Sequence, residues 1–430
     1  MPKALYTKNL NDFEKGPTRR SLFSNGLTII HHHAKGFSGS RVNVNFMAGS
    51  MFERQEQYGL AHLLEHLVFK ELDSHKLAYI ESMGAGINAY TFKENICFEM
   101  SVLAKKLSRV IDEFIELVCT LEFNEDQFRK EKQVVLQELR EDLDDHESMG
   151  LEYLFEKNFP DDLGHPVAGT IKSVSTLKSS DIFKYHKKYF SPSRMIVTIV
   201  SGEEDLDIEQ KINDKVSELI GDKPRKPFRL KASRKSKPLN HFKKTLSKNV
   251  ESSILFLAFN GPSINSGNYY EYVLLDDLLF EGLSSEFFKK FREENAYVYG
   301  LGSSLNPFSN TGSYIMVFNT QKKYLDEIFQ GVFEVLERVA RFGIDGDRLQ
   351  QSKDKYQDGW HLGLDGLDDR VELLQDNEIY QLEDYNFASM QKKLDQVTVK
   401  TVQKLCKKLY TEPYTHMKLQ PKGQSDQRKR

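Results

Sequence analysis

The sequence predicts an α+β protein of two homologous domains, each a mainly antiparallel sheet packed against helices. Three observations carry this. At 430 residues the chain exceeds what one hydrophobic core supports. Strand-like segments come in pairs or runs rather than in strict alternation with helices. A stretch rich in Pro, Lys and Arg, DKPRKPFRLKASRKSKPLN, divides the chain into halves of similar length and has little apolar periodicity. The expected layout is a first domain over 1–221, a basic linker over 222–240 and a second domain over 241–430.

In chain order, SRVNVNFMAG, GINAYTFKENICFEM and RMIVTIVSG read as strands from their alternating or β-branched apolar content. SVLAKKLSRVIDEFIELVCT and EDQFRKEKQVVLQELRED read as long amphipathic helices. HLLEHLVF (His62 to Phe69) aligns with VLLDDLLF (Val273 to Phe280), both with helical apolar spacing. ELVCTLEF before NEDQFRKEK likewise aligns with VLERVARFGI before DGDRLQQSK, which places Asn124 and Asp345 at matching helix N-caps. Two agreeing alignments point to a duplication.

Composition excludes several classes. Apolar residues make up 39% and charged residues 29%, with a net charge of −3, so neither a nucleic-acid binder nor a disordered chain is indicated. The basic ending QRKR reads as a frayed tail. Cys97, Cys119 and Cys406 lie far apart and are odd in number, which argues against a disulfide framework. The beginning MPKALYTKNLNDFEKG lacks a secretory apolar region, and no stretch reaches the ~20 apolar residues of a membrane span. A cytoplasmic location is the expectation.

HLLEH lies within YGLAHLLEHLVFKEL, a run of helix formers without Pro. On a helix, residues four apart share a face, so His62 and His66 can bind one metal ion. Glu65 borders that face and is placed to deprotonate a metal-activated water. The alternative is an amphipathic helix with two surface histidines. A catalytic zinc needs a third protein ligand, and EDQFRKEKQVVLQELRED offers Glu131 and Glu138, seven residues apart on one face with Val134 and Val135 between them. A buried carboxylate requires a partner, and a metal or a histidine suits. Glu141, Asp142, Asp144 and Asp145 read instead as a solvated charged face.

HLLEH followed by EKQVVLQEL resembles the pitrilysin family of inverted-motif (HxxEH) zinc metallopeptidases. The resemblance extends through GINAYTFKENICFEM and LGHPVAGTIKSVSTLKSSDIFKYHKKYFSPSRMIVTIVSG to FREENAYVYGLGSS, in the same order. It implies a half-length subunit similar to those of mitochondrial processing peptidase. By position it makes His62, His66 and Glu138 the ligands of one Zn2+ per chain, Glu65 the general base, and Glu131 a carboxylate that supports the site. Asn88, Ala89 and Tyr90 match a substrate-binding edge strand, to which an extended peptide adds through main-chain hydrogen bonds. Read without the resemblance, Asn88 is an ordinary turn residue beside Gly84 and Gly86. Arg292 and Tyr299 match a pair that holds substrate and steadies the carbonyl oxygen, although residues 293–298 between them lack the family's usual glycine. The second half has Val273, Asp277, Ser352 and Gly359 where the first has His62, His66, Glu131 and Glu138. Only the first half is therefore expected to bind zinc.

The implied function is hydrolysis of peptides or unfolded polypeptide segments inside a chamber formed by a dimer, either of two copies or of this chain with a related one. The competing reading is a non-catalytic partner or scaffold subunit. Such relatives usually lose motif residues, and here all are present. A structural zinc site would need a fourth ligand, and no cysteine lies near the motif. His31, His32 and His33 read as a polar strand end, Trp360 as packing, and the Gly-rich HLGLDG around Gly363 as carrying no phosphate role because no strand precedes it.

Overall fold

Every strand predicted above becomes a strand in the computed structural model, which describes residues 4–10, 16–70, 75–142, 144–159, 161–230, 238–248, 250–382 and 386–422. The QRKR ending and residues 231–237 of the linker lie outside the described residues. The chain forms two compact units. The first is built from Met1–Asp144, Asp161–Leu230 and Leu362–Phe387. The second is built from Asp145–Pro160, Lys231–His361 and Ala388–Arg430.

The strands are β1 (Ala4–Leu10), β2 (Thr18–Phe23), β3 (Thr28–His33), β4 (Gly39–Phe46), β5 (Gly86–Thr91), β6 (Ile96–Leu103) and β7 (Met195–Ser201) in the first unit. The second unit has β8 (Lys243–Lys248), β9 (Ser253–Asn260), β10 (Val298–Pro307), β11 (Gly312–Thr320) and β12 (Thr415–Pro421). The helices used below are α1 (Leu60–Val68), α2 (Leu107–Cys119), α3 (Glu125–Asp142) and α4 (His146–Asn158). They continue with α5 (Tyr269–Phe280), α6 (Leu325–Phe342), α7 (Gly346–Gly363) and α8 (Leu367–Tyr380). Helix α2 starts six residues later than its apolar spacing predicts, because Ser101 to Leu103 continue the ladder of β6 against β4. Asn124 and Asp345 do cap α3 and α7. The Asn124 carboxamide oxygen accepts from the amides of Asp126 and Gln127, and the Asp345 carboxylate accepts from that of Asp347.

The first sheet runs β1-β2-β3-β7-β4-β6-β5 and the second β10-β11-β9-β12-β8. In the first, only β3 and β7 are parallel. In the second, only β8 and β12 are. Chain order and strand direction in β3-β7-β4-β6-β5 repeat in β8-β12-β9-β11-β10, and α1 and α5 occupy the same place in the two orders. The topology thus carries the duplication that the two weak alignments indicate.

The compact units do not coincide with 1–221 and 241–430. Helix α4, from the first half of the sequence, belongs to the second unit, where Leu154 packs on Ile254, Phe256 and Ala258. Its approach is so close that a Cβ on Gly150 would lie 2.4 Å from the Phe256 ring. Helix α8, from the second half, covers the first sheet. Central strand β4 turns Val42, Val44 and Phe46 into the main core, so its other face carries the buried Asn43 and Asn45, whose amides both donate to Gln375 of α8 at 2.9 Å. Such a face needs polar cover, since buried amides are costly unpaired. Glu378 of α8 further accepts from Arg20 at 2.7 and 2.8 Å and from Arg229 at 2.7 Å. The start of the basic stretch is therefore anchored on the first unit, with Phe228 also beneath the Arg194 guanidinium at 3.8 Å.

The histidine run does end β3, with His33 half-buried, but His31 and His32 are buried there rather than solvated. Thr18 pairs with His32 at 2.9 Å, and Arg370 donates to its other nitrogen at 3.1 Å. Burial, with the Arg370 charge, pulls the His32 pKa to about 3. His31 and Arg19 flank Glu209. Burial raises that carboxyl's pKa, but hydrogen bonds from His31, Ser21 and Arg19 outweigh it and bring the value to about 2. Among the described residues no helix is long and apolar enough to cross a membrane.

Candidate metal and peptide site

Helix α1 forms because its apolar residues recur at helical spacing. Leu60, Ala61, Leu63, Leu64, Leu67 and Val68 are buried, which leaves His62, Glu65 and His66 half-buried on the other stripe. Its N-terminus has no side-chain cap of the usual kind; Gly59 stands there with φ 91°. The fully buried carboxylate of Glu53 takes that role, accepting from the amides of Gly59 at 2.9 Å and Ala61 at 2.6 Å. His165 Nε2 lies 3.2 Å from the same carboxylate and stacks on Tyr58 with ring centroids 3.7 Å apart. An acid at a helix N-terminus meets both the free N–H groups and the positive end of the dipole.

The His62 and His66 rings meet edge to face, with centroids 4.7 Å apart. Glu138 of α3 lies 3.7 Å from His66 Nε2, and Glu131 lies 3.5 Å from His66 Nδ1. Lys70 Nζ is 3.4 Å from the other oxygen of Glu131. Ligand atoms of His62, His66 and Glu138 all lie within 4.8 Å of one another, the one cluster of this kind among the described residues. Helix α3 presents these acids beside a core face of Phe128, Val135, Leu136 and Leu139. Of the two valines between them, Val135 belongs to that core face, whereas Val134 is 43% exposed. The acids expected to be solvated, Glu141, Asp142, Asp144 and Asp145, are all exposed, and Asp145 also caps α4 through the amides of Glu147 and Ser148.

Burial, assisted by the neighbouring His66, pulls the His62 pKa to about 4, and its Nδ1 is enclosed without a hydrogen-bond partner. The imidazole is thus neutral near pH 7, with a lone pair available. Burial pushes the Glu65 pKa up, and so does Glu138, while the Thr91 hydroxyl, donating at 2.8 Å, and His66 pull it down. The result is a carboxyl held closer to neutrality than an exposed one and fixed in orientation by strand β5.

Asn88, Ala89 and Tyr90 lie inside β5, the outer strand of the first sheet, opposite Glu99, Phe98 and Cys97 of β6. Asn88 is therefore a strand residue, and the turn before it is made by Gly84 with φ 74°. Its amide donates to the Tyr90 hydroxyl at 2.6 Å. Among the described residues one side of β5 has no neighbouring strand, so its alternate main-chain groups remain available for pairing. In the second unit, Arg292 donates to the Val298 carbonyl at 2.6 Å, while Tyr299, 59% exposed, accepts from Gln321 at 2.6 Å.

The turn between Arg292 and Tyr299 closes without glycine because Ala296 adopts φ 51°. A non-glycine residue there carries a cost of roughly 1–2 kcal/mol. Ala296→Gly relieves it but loosens the unfolded chain, so a net gain of about 0.5–1 kcal/mol is expected, read as a higher urea midpoint. A lowered midpoint would contradict the strain assignment.

Sequence comparison agrees with this geometry. A model of the insulinase family, peptidase family M16, matches residues 28–171, and a model described as the peptidase M16 inactive domain matches residues 176–356. The uncharacterized zinc protease YmxG of Bacillus subtilis is 24% identical over 411 residues, spanning 94% of this chain and 98% of that one. An uncharacterized zinc protease of Mycobacterium bovis is 26% identical over 421 residues, spanning 94% and 93%. Among solved structures, the peptidase M16 inactive domain from Pseudomonas fluorescens superposes with a TM-score of 0.82 at 17% identity, covering 94% of this chain and 98% of that one. A protease from Helicobacter pylori superposes with a TM-score of 0.79 at 19% identity, covering 98% and 100%. Two domains of this topology, the first carrying an HxxEH helix, define a half-size chain of the metallopeptidase type. The chain belongs to the insulinase, or pitrilysin, family of M16 peptidases.

Three residues that frame the site escape sequence reasoning. Glu53, backed by His165, caps α1 from outside the helix, and Thr91 reaches Glu65 from strand β5 through its hydroxyl. None of the three has a local spacing signal.

Proposed function

We propose that this chain is a zinc-dependent endopeptidase that cleaves peptides or unfolded protein segments, working as a dimer. The convergence of His62, His66 and Glu138 within 4.8 Å, with Glu65 beside them, carries the reading. The donor set fits zinc: two imidazoles and a carboxylate, one imidazole neutral with an enclosed, unpartnered nitrogen. When bound, zinc supplies Lewis-acid polarisation of a carbonyl and brings the pKa of water to about 7.

The protein side chains do the rest. Glu65, oriented by Thr91, takes a proton from the attacking water and returns it to the leaving amine. Glu131 holds the His66 ring by Nδ1, fixing its tautomer. A peptide added along β5 at Asn88 to Tyr90 would be held through main-chain hydrogen bonds largely indifferent to sequence. Arg292 and Tyr299, contributed by the partner copy, would support the developing oxyanion.

Purified protein is expected to hold about one zinc per chain, because only one half has the three ligands a catalytic site needs. A chelator should stop digestion of a peptide library, and added zinc should restore it. Glu138→Gln should lose most of the metal, whereas Glu131→Gln should lose roughly 10–100-fold in zinc affinity or activity. Digestion by metal-free protein would end the proposal, and the reverse order of metal loss would reassign the two carboxylates.

A further inference from the structure

The second unit contains a cavity of about 390 Å³ between α5 and α7. Four of its lining residues, Val273, Asp277, Ser352 and Gly359, occupy the positions that the duplication pairs with His62, His66, Glu131 and Glu138. The place of the metal site in the first repeat is thus a walled space in the second. Gly359 shows why it is open. It sits within helix α7, where glycine is a poor choice, its φ is not positive, and a Cβ built on it meets nothing within 4 Å. What its missing side chain provides is room.

The walls are Val273, Leu274 and the Trp360 ring. Two hydrogen-bonding groups of the lining residues, Ser352 Oγ and Trp360 Nε1, are enclosed without a partner, and Ser352 is only 4% exposed. An indole N–H can only donate, so it calls for an acceptor oxygen. Asp277 and Lys355 already pair with each other at 2.5 Å, so a full charge has no uncommitted counter-ion here. The volume is at the small end of ligand pockets, which run from about 300 to 1,000 Å³.

We propose that this cavity binds one apolar side chain of a peptide, aromatic or large aliphatic, while neighbouring amide carbonyls accept from Trp360 Nε1 and Ser352 Oγ. It is a non-catalytic anchor. That the peptide is a substrate segment rests on the peptidase reading; the binding itself does not.

Trp360 is the only tryptophan in the chain, so its fluorescence reports on this cavity alone. The full-length Glu65→Gln protein is titrated with N-acetyl-L-phenylalaninamide and, separately, with N-acetylglycinamide. The phenylalanine probe should change the emission saturably, with a dissociation constant on the order of 1 mM, and the glycine probe should not. Gly359→Leu fills the space from α7 with a better helix former, and Val273→Phe fills it from α5. Each should weaken binding roughly tenfold or more. Either plug suffices if the other fails to fold, as judged by circular dichroism. No saturable change, equal response to both probes, or unaltered affinity in a folded plugged variant would overturn the assignment. Loss or survival of cleavage in Glu65→Gln protein tests the peptidase reading and leaves this readout untouched.

Discussion

Glu65→Gln should lower kcat for peptide cleavage by about 10²–10⁴-fold while zinc stays bound and KM changes little. Glutamine has the same shape and can still accept the Thr91 hydrogen bond through its carbonyl oxygen, but it cannot hold a proton at neutral pH. The core face of α1 is Leu60, Ala61, Leu63, Leu64, Leu67 and Val68, so the change leaves the packing that positions His62 and His66 intact. The checks are metal analysis, a melting curve and steady-state kinetics on one preparation. If zinc were lost together with activity, Glu65 would be holding the site rather than acting as its base. Activity close to wild type would remove the mechanism altogether.

The residues that were legible in the sequence share one property: their signal is local. HLLEH declares itself through spacing within one helix, and the limits of α3 follow from the Asn124 cap and a regular apolar period. The outer-strand position of Asn88 to Tyr90 came from resemblance, not from periodicity, which on its own allowed a turn. What was not legible depends on pairing across long sequence distances. Apolar spacing says which face of α4 or α8 is buried but not which sheet it covers, so their exchange between the two units leaves no trace in either helix. The same holds for Asn43 and Asn45, polar residues in a central strand whose partner Gln375 lies more than 300 residues away. Glu53 belongs here too, because it caps a helix from six residues before Gly59. Trp360 and Gly359 carry no spacing signal of their own in the sequence. Only the geometry shows that together they border a half-open pocket.

Mixing two inactive variants should restore activity if the proposed dimer builds each site from both chains. One variant is Glu65→Gln. The other is the double change Arg292→Ala with Tyr299→Phe, which removes transition-state donors worth about 10²–10³-fold each. Alone, each forms dimers in which every site has one fault, so each should be nearly inactive. Symmetric two-chain assemblies are the commonest oligomers, and because one chain carries both sets of residues a homodimer suffices. In a mixed dimer, one site collects both faults and the other has none. Random exchange of equal amounts makes about half the dimers mixed, with one intact site of two, so activity should return to about a quarter of wild type. The measurement is cleavage rate against mixing ratio, with exchange confirmed by differently tagged chains. The curve should peak at equal amounts and vanish at both ends. A flat curve despite proven exchange would mean that Arg292 and Tyr299 serve the site of their own chain, or that a related second chain supplies the missing half.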